Sequence, residues 1–239
     1  MFGCALVYAS VVVSGSRGGM LACAAQLVTF ALCWWLLRRR RARSMALLAG
    51  LLVSVAVLAV WLDGSHAIER LLSFQLHEDI TGGRAALYGN ALHMIRERPF
   101  FGFGIGTFGT VFPQYRSFYT SLEFTHLHND ILQPFVEMGI VGGVCWLAFL
   151  GCVLRNAVVG LFRKETHGGE YQRALQFASF VGIVGLTIHS FADFNLHIPA
   201  NAALFTALCA WATNRPEQSR VAFELMRQSR KLRQLPATR

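Results

Sequence analysis

Arginine, glycine and histidine residues occur together at several points of the sequence. Arg17 lies in a turn of small residues at 14–19, Arg84 begins a segment with helical spacing, and His126 and His128 stand two residues apart. Guanidinium groups bind phosphate oxygens through paired hydrogen bonds, and glycines let backbone N–H groups approach an anion. Histidine supplies a base that works near neutral pH. These residue types are suited to chemistry on an anionic ligand such as a phosphate.

The composition indicates that membrane-spanning helices position these residues. Of the 239 residues, 54% are apolar and only 15% are charged, whereas a soluble domain carries about 25% charged residues. This excludes an ordinary cytosolic domain. Six stretches carry no charged residue, and most reach the roughly 17–25 residues that a helix needs to cross a bilayer: residues 1–16, 18–37, 44–62, 138–154, 174–192 and 194–214. The sequence therefore predicts an all-α, polytopic transmembrane bundle of about six spans. All cysteines lie in these stretches and are expected to be core residues.

The basic residues are divided unequally between the two sides of this bundle. If the spans alternate, sixteen of the 22 Lys and Arg residues fall on one side, within positions 38–43, 155–173 and 215–239, and six fall on the other. By the positive-inside rule, the side with sixteen is cytoplasmic. Membrane orientation thus accounts for the formal charge of +9, and we predict no nucleic-acid partner.

This orientation divides the chain into a transmembrane domain at 1–213, with one large extracytoplasmic loop at 63–129, and a basic cytoplasmic tail at 214–239. Within the loop, apolar residues at helical spacing predict a helix over residues 84–98 that ends before Pro99. Residues 99–113 contain too many glycines and prolines for a spanning helix, which predicts a folded re-entrant or interfacial segment. The next span is predicted to begin near Asn129 and to bend at Pro134, with Asn129, Gln133 and Glu137 as a polar stripe.

Four segments that are distant in the sequence are expected at the same outer face. They are the turn around Arg17, the large loop, the segment at 126–129 and the connection at 193–199. Because ionisable groups in a membrane are costly and usually face a cavity, we predict a binding site at this face. Its candidate substrate-binding residues are Arg98, Arg116, His126, Asn129, Glu137, Asp193 and His197, beside Arg17, Arg84 and His128.

Three motifs resemble the O-antigen ligase and polymerase family of bacterial membrane glycosyltransferases. They are the Ser14-Gly-Ser-Arg17-Gly turn, the Arg84 segment followed by the Phe- and Gly-rich run at 99–108, and His128-Asn129 followed by Gly139. The resemblance covers nearly all of residues 1–213 and corresponds to the C-terminal half of family members.

The resemblance implies transfer of a glycan from a polyprenyl-diphosphate carrier to an acceptor at the periplasmic face of the bacterial inner membrane, without a metal or other cofactor. The acceptor is lipid A core, a growing polysaccharide or a protein, and the motifs do not separate a ligase from a polymerase. The resemblance also implies that Arg17 and Arg84 hold the diphosphate. His128 then orients or deprotonates the acceptor hydroxyl.

Other interpretations of these residues stay open. Arg17 can serve as a membrane anchor, and Glu137 can simply hydrogen-bond within the bundle. Asp193 and His197 can pair across their turn, and the His126/His128 pair can bind zinc if further ligands approach. The whole chain can also be read as an anion transporter whose arginines line a permeation path, or as an inactive truncated remnant.

Overall fold

The computed structural model of the protein describes residues 2–14, 16–37, 50, 53, 78–119, 123–162, 169–214, 224, 225 and 227. In this part of the chain the regular elements are helical, as the sequence predicts. They are α1 (Phe2–Val13), α2 (Arg17–Leu37), α3 (Glu78–Glu97), α4 (Phe108–Val111), α5 (Gln133–Phe162), α6 (Gly169–His189) and α7 (Pro199–Thr213), with 3₁₀ segments at Phe112–Gln114 and Asn195–His197. The basic cluster at 38–43 and nearly all of the third span and the tail lie outside the described residues.

Within the described residues, two stretches are long and apolar enough to cross a membrane. They are Gly18–Leu36 in α2 and Gln133–Phe162, which is the whole of α5. Helices α1 and α7, at the predicted first and sixth spans, have 12 and 15 residues, fewer than the roughly 17 that a span needs. The number of six spans therefore stays a prediction.

The bundle core follows from apolar residues that recur at helical spacing. In α5, Val153, Ala157 and Leu161 are buried at successive intervals of four residues, which places them on one face. This face packs against buried residues of α2, α6 and α7: Cys33, Phe180, Ile183, Phe205, Cys209 and Ala212. In a membrane, close van der Waals packing rather than removal from water stabilises such a core.

Contacts between the helices fix which of their ends lie together. Gly18 at the start of α2 packs on His189 at the end of α6, and the rings of Phe30 and Phe177 lie 5.3 Å apart further along the same pair. These two helices are therefore antiparallel. The short connection at 190–198 brings the start of α7 to the same end, and a hydrogen bond from the Asp130 amide to the Ser190 carbonyl brings the entry of α5 there. We call this end of the bundle the mouth.

A second hydrophobic core lies under α3. Leu87, Ala91 and Met94 of α3 are buried against Phe108 and Phe112, whose rings stack 5.0 Å apart. The helix predicted over residues 84–98 is thus present, although it begins six residues earlier, at Glu78, and ends at Glu97. Of the segment at 99–113, Phe108 and Phe112 pack inward, whereas Phe101 is 79% exposed.

The bend in α5 lies at Gly139 and not at Pro134, so the prediction of a proline kink was wrong. Pro134 is the second residue of the helix, where its missing N–H costs no intrahelical hydrogen bond. Gly139 instead has φ 64° and ψ −166°, a conformation open essentially to glycine. A Cβ at this position would overlap the backbone of Phe100.

The bend exists because the 99–106 loop docks into it. The amides of Phe103 and Gly104 donate to the carbonyls of Val136 and Glu137 at 3.1 and 2.8 Å, and the Ile140 amide donates to the Pro99 carbonyl at 2.7 Å. At the interruption, backbone groups of α5 therefore form hydrogen bonds with the loop at 99–106. This contact joins the second core to the bundle next to the mouth.

Candidate functional site

The segment before α5 is a turn that Asn129 caps. The Asn129 Oδ1 accepts hydrogen bonds from the amides of Ile131 and Leu132 at 3.0 and 2.9 Å. The helix itself begins at Gln133, four residues after Asn129, near which the span was predicted to begin. Its side chain satisfies amides that would otherwise lack a partner at the helix start. Substrate binding by Asn129 stays a prediction.

His128 stands beside Asp193 at the mouth. Its backbone has φ 54°, a left-handed conformation that few residues other than glycine adopt. This turns the ring toward the connection between α6 and α7, where Nδ1 lies 3.4 Å from Asp193 Oδ1. The two side chains are about one-third exposed, at 35% and 36%. A ligand can therefore reach the pair from solvent.

Asp193 also faces a second histidine, and it does not pair with His197. The other carboxylate oxygen, Oδ2, lies 3.8 Å from His189 Nε2, one helical turn earlier. The alternative in which Asp193 and His197 pair across their turn is therefore wrong. His197 donates its Nδ1–H to Asp130 at 2.7 Å instead.

Asp130 is the buried carboxylate of the site, and its side chain is 2% exposed. Its Oδ2 accepts hydrogen bonds from the Ser190 hydroxyl at 3.0 Å and from the Leu196 amide at 2.9 Å, while Oδ1 accepts the His197 proton. Such a buried charge persists only when it is fully hydrogen-bonded. The hydrogen bond to Asp130 raises the pKa of His197, and burial acts in the opposite direction.

Gln133 and Glu137 connect this pair to the docked loop. The Gln133 Oε1 accepts from the Leu127 amide at 2.9 Å, and its Nε2 donates to Glu137 at 2.9 Å and lies 3.1 Å from His197 Nε2. The Glu137 carboxylate in turn accepts the amides of Gly106 and Phe108, at 2.9 and 3.4 Å. Glu137 thus hydrogen-bonds within the fold, as one interpretation of the sequence held, and its contact with substrate stays a prediction.

His126 and His128 share contacts with Phe194. The His126 ring stacks on that phenyl ring and the His128 ring meets its edge, each at 4.8 Å between centroids. Burial lowers the pKa of His126, and neighbouring His197 lowers it further. Within the described residues, no group of three or more His, Cys, Asp or Glu side chains is arranged to hold a metal ion.

The turn at Arg17 lies next to His189 and Ala192. Helix α2 begins at Arg17, and Ser16 caps it by accepting the Gly19 amide at 3.1 Å. A Cβ on Gly18 would lie 3.0 Å from the His189 ring, so the backbone passes directly against α6. The side chain of Arg17 itself lies outside the described residues.

Among the described arginines of the loop, Arg84 is the one that lies one helical turn from a residue in contact with His128. The Tyr88 hydroxyl, one turn after Arg84 on α3, donates to the His128 carbonyl at 3.2 Å. Residues four apart share one helix face, so the partly exposed Arg84 is on the face that meets this segment. No described residue forms an ion pair with its guanidinium.

Arg98 and Arg116 lie at the other end of α3. Arg98 follows Arg84 by 14 residues, which is roughly 21 Å along a helix, and its guanidinium covers the Phe103 ring at 5.1 Å. Arg116 follows Tyr115, whose hydroxyl donates to Glu97 at 2.7 Å. Arg98 and Arg116 therefore lie toward the end of α3 that is distant from Tyr88 and its contact with His128.

Several residues of the site were absent from the sequence-based set. Asp130, Ser190 and Tyr88 were missed, and Gln133 was noted only as part of a polar stripe. The available signal was the charge of Asp130 directly before an apolar span, since an ionisable group there needs a buried partner. The partner on the α6–α7 connection could not be known without the packing.

Comparison with known proteins identifies a family for most of this region. The model of a family described as O-antigen ligase matches residues 2–147, which is more than half of the 239-residue chain. The matched part contains Arg17, Arg84 and His128, whereas Asp193 and His197 lie beyond it. A comparison with curated proteins gave no match.

Proposed function

The chain belongs to the O-antigen ligase family, and on that premise we propose that it transfers a glycan from a polyprenyl-diphosphate carrier to an acceptor hydroxyl at the periplasmic face of the bacterial inner membrane. The observation that carries the proposal is the His128–Asp193 pair at the mouth, 3.4 Å apart and open to solvent. The start of α2 with Arg17 and the face of α3 with Arg84 lie beside it.

We assign the proton transfer to His128. Its Nδ1 faces Asp193, and no described residue bonds its Nε2, so Nε2 is available to accept the proton of an acceptor hydroxyl. The acceptor oxygen then forms a bond to the sugar carbon as the bond from that carbon to the diphosphate oxygen breaks. The carboxylate of Asp193 stabilises the imidazolium that results.

The other histidines of the mouth are less suited to this role. His197 is engaged at both ring nitrogens, by Asp130 and by Gln133. His126 stacks on Phe194 and lies near Gln133. The Nε2 of His189 is buried against the start of α2, 3.8 Å from Asp193, and has no hydrogen-bond partner among the described residues. His128 thus combines an exposed nitrogen with an orienting carboxylate.

We assign the leaving diphosphate to Arg17 and Arg84. The departing group gains negative charge as the bond breaks, and guanidinium groups that already point at it lower the barrier. Removal of one such group typically costs about 10²–10³-fold in turnover. Arg84 is favoured for this role because no described residue neutralises its charge, and Arg17 because its turn packs against His189 and Ala192, directly before Asp193.

A transfer assay with matched variants tests the proposal. Full-length protein is reconstituted with a lipid-diphosphate-linked glycan and an acceptor glycolipid, and product is measured for wild type, H128Q, R17A, R84A and the control H93Q. His93 is an exposed histidine of α3 near Tyr115, away from the mouth. We expect loss of transfer in the first three variants and normal transfer in the control. Normal transfer by H128Q would refute the catalytic assignment.

A further inference from the structure

We infer that Asp130 is a positioning residue, which holds the connection at 190–198 on the entry of α5 and thereby fixes Asp193 against His128. This inference rests on the proposed function for its catalytic consequence. The anchoring itself is independent of that function. Asp130 is named neither by the motifs of the sequence nor by the proposed mechanism.

Asp130 forms hydrogen bonds near both ends of the connection at 190–198. At its start, the Asp130 amide donates to the Ser190 carbonyl at 2.8 Å, and the Ser190 hydroxyl donates to Asp130 Oδ2. Toward its end, Asp130 accepts the Leu196 amide and the His197 ring proton. Asp193 and Phe194, which contact His128, lie between these two anchor points. One buried carboxylate therefore fixes both sides of the segment that orients the proposed base.

The direction of each hydrogen bond in this network is determined. The Leu127 amide can only donate, so it fixes Gln133 Oε1 as its acceptor and leaves Nε2 as the donor to Glu137. For the second Nε2 proton, His197 Nε2 at 3.1 Å is a nearer acceptor than His126 Nδ1 at 3.5 Å. Neutral His197 must carry its proton on Nδ1, where Asp130 accepts it. The arrangement needs two acceptor oxygens at position 130.

An asparagine at 130 cannot satisfy this arrangement in either orientation. If its amide nitrogen faces His197, the ring proton must move to Nε2, where it meets the Gln133 amide protons. If the amide nitrogen faces the connection, it meets the Leu196 amide proton. One donor–donor contact remains in a buried site in both cases, so the connection is expected to move away.

The first test is independent of transfer activity. Hydrogen exchange is followed by mass spectrometry in the detergent-purified full chain, comparing a peptide over 191–198 with one around the buried Ile183 of α6. In D130N we expect the 191–198 amides to exchange at least tenfold faster, with the Ile183 peptide unchanged. The control is E123Q, which neutralises an exposed carboxylate seven residues earlier and should leave both peptides unchanged. Exchange in D130N equal to that of wild type overturns the inference.

The second test separates positioning from a merely structural role. For the same variant, kcat per folded molecule should fall at least tenfold, while KM for the lipid-linked donor stays within twofold, because Arg17 and Arg84 are untouched. An unchanged kcat despite faster exchange overturns the positioning role, as does a rise in KM as large as the fall in kcat. If wild type shows no transfer, the proposed function fails, and the exchange result alone then supports or overturns the anchoring.

Discussion

Replacement of Gly139 by alanine should destabilise the protein strongly, because the bend of α5 requires glycine. At φ 64° and ψ −166°, a residue with a Cβ carries about 1–3 kcal/mol of backbone strain. The new methyl group would also overlap the Phe100 backbone, and overpacking of this kind costs about 1–3 kcal/mol more. Reduced freedom of the unfolded chain returns about 0.4–1 kcal/mol. The net loss is therefore about 2–5 kcal/mol.

The same helix offers a matched control at Gly151. This residue is exposed, and a Cβ built there meets no atom within 4 Å. G151A should therefore be neutral or more stable by up to about 1 kcal/mol, the ordinary gain from glycine to alanine in a helix. At about 2–4 °C per kcal/mol, thermal unfolding followed by circular dichroism should place G139A at least about 4 °C below wild type. Equal midpoints for G139A and G151A would refute the assignment of the bend to the docked loop.

Three further predictions concern the turn, the second core and the pH response. N129A should lower stability by about 0.5–2 kcal/mol through loss of the cap, whereas N129D should retain it, as measured by unfolding midpoint. F112A should cost about 3–5 kcal/mol and raise protease cleavage around α3, and the exposed-residue variant F101A should not. The lowered pKa of His126 means that the folded state favours the neutral ring, so stability is lost as pH falls through the ordinary value of about 6.5. H126Q should therefore lose less in unfolding midpoint than wild type between about pH 7.5 and 5.5, and an equal loss would contradict the assignment.

The sequence predicted the helical class and part of the loop because these depend on local patterns. Apolar runs without charge are enough to identify α2 and α5, and helical spacing before Pro99 identifies α3. The bend was misplaced because Pro134 is a common cause of kinks, whereas the requirement at Gly139 comes from a loop that approaches from more than 30 residues earlier. The residues around Gly139 do not by themselves indicate that this loop packs there.

The sequence indicated which residues to consider for the candidate site, but it did not indicate which of them pair with each other. The predicted membrane sidedness assigned Arg17, Arg84, His128 and Asp193 to one face, which stays a prediction; the structure shows contacts between the segments that carry them. The sequence could not show that His197 pairs with Asp130, since the partners are 67 positions apart. Nor could it show that Arg98 lies at the far end of α3, because a common membrane face does not determine distance within that face.

The order in which the chain is made has a consequence for the α6–α7 connection. A growing polypeptide contains His128 long before residue 193 has left the ribosome, so the imidazole lacks its carboxylate partner until the α6–α7 connection has been made. Truncation between residues 163 and 190 would retain α2 and α5 and leave the mouth unfinished. On the proposed function, competence for transfer is therefore acquired late in biosynthesis, when Asp193 arrives.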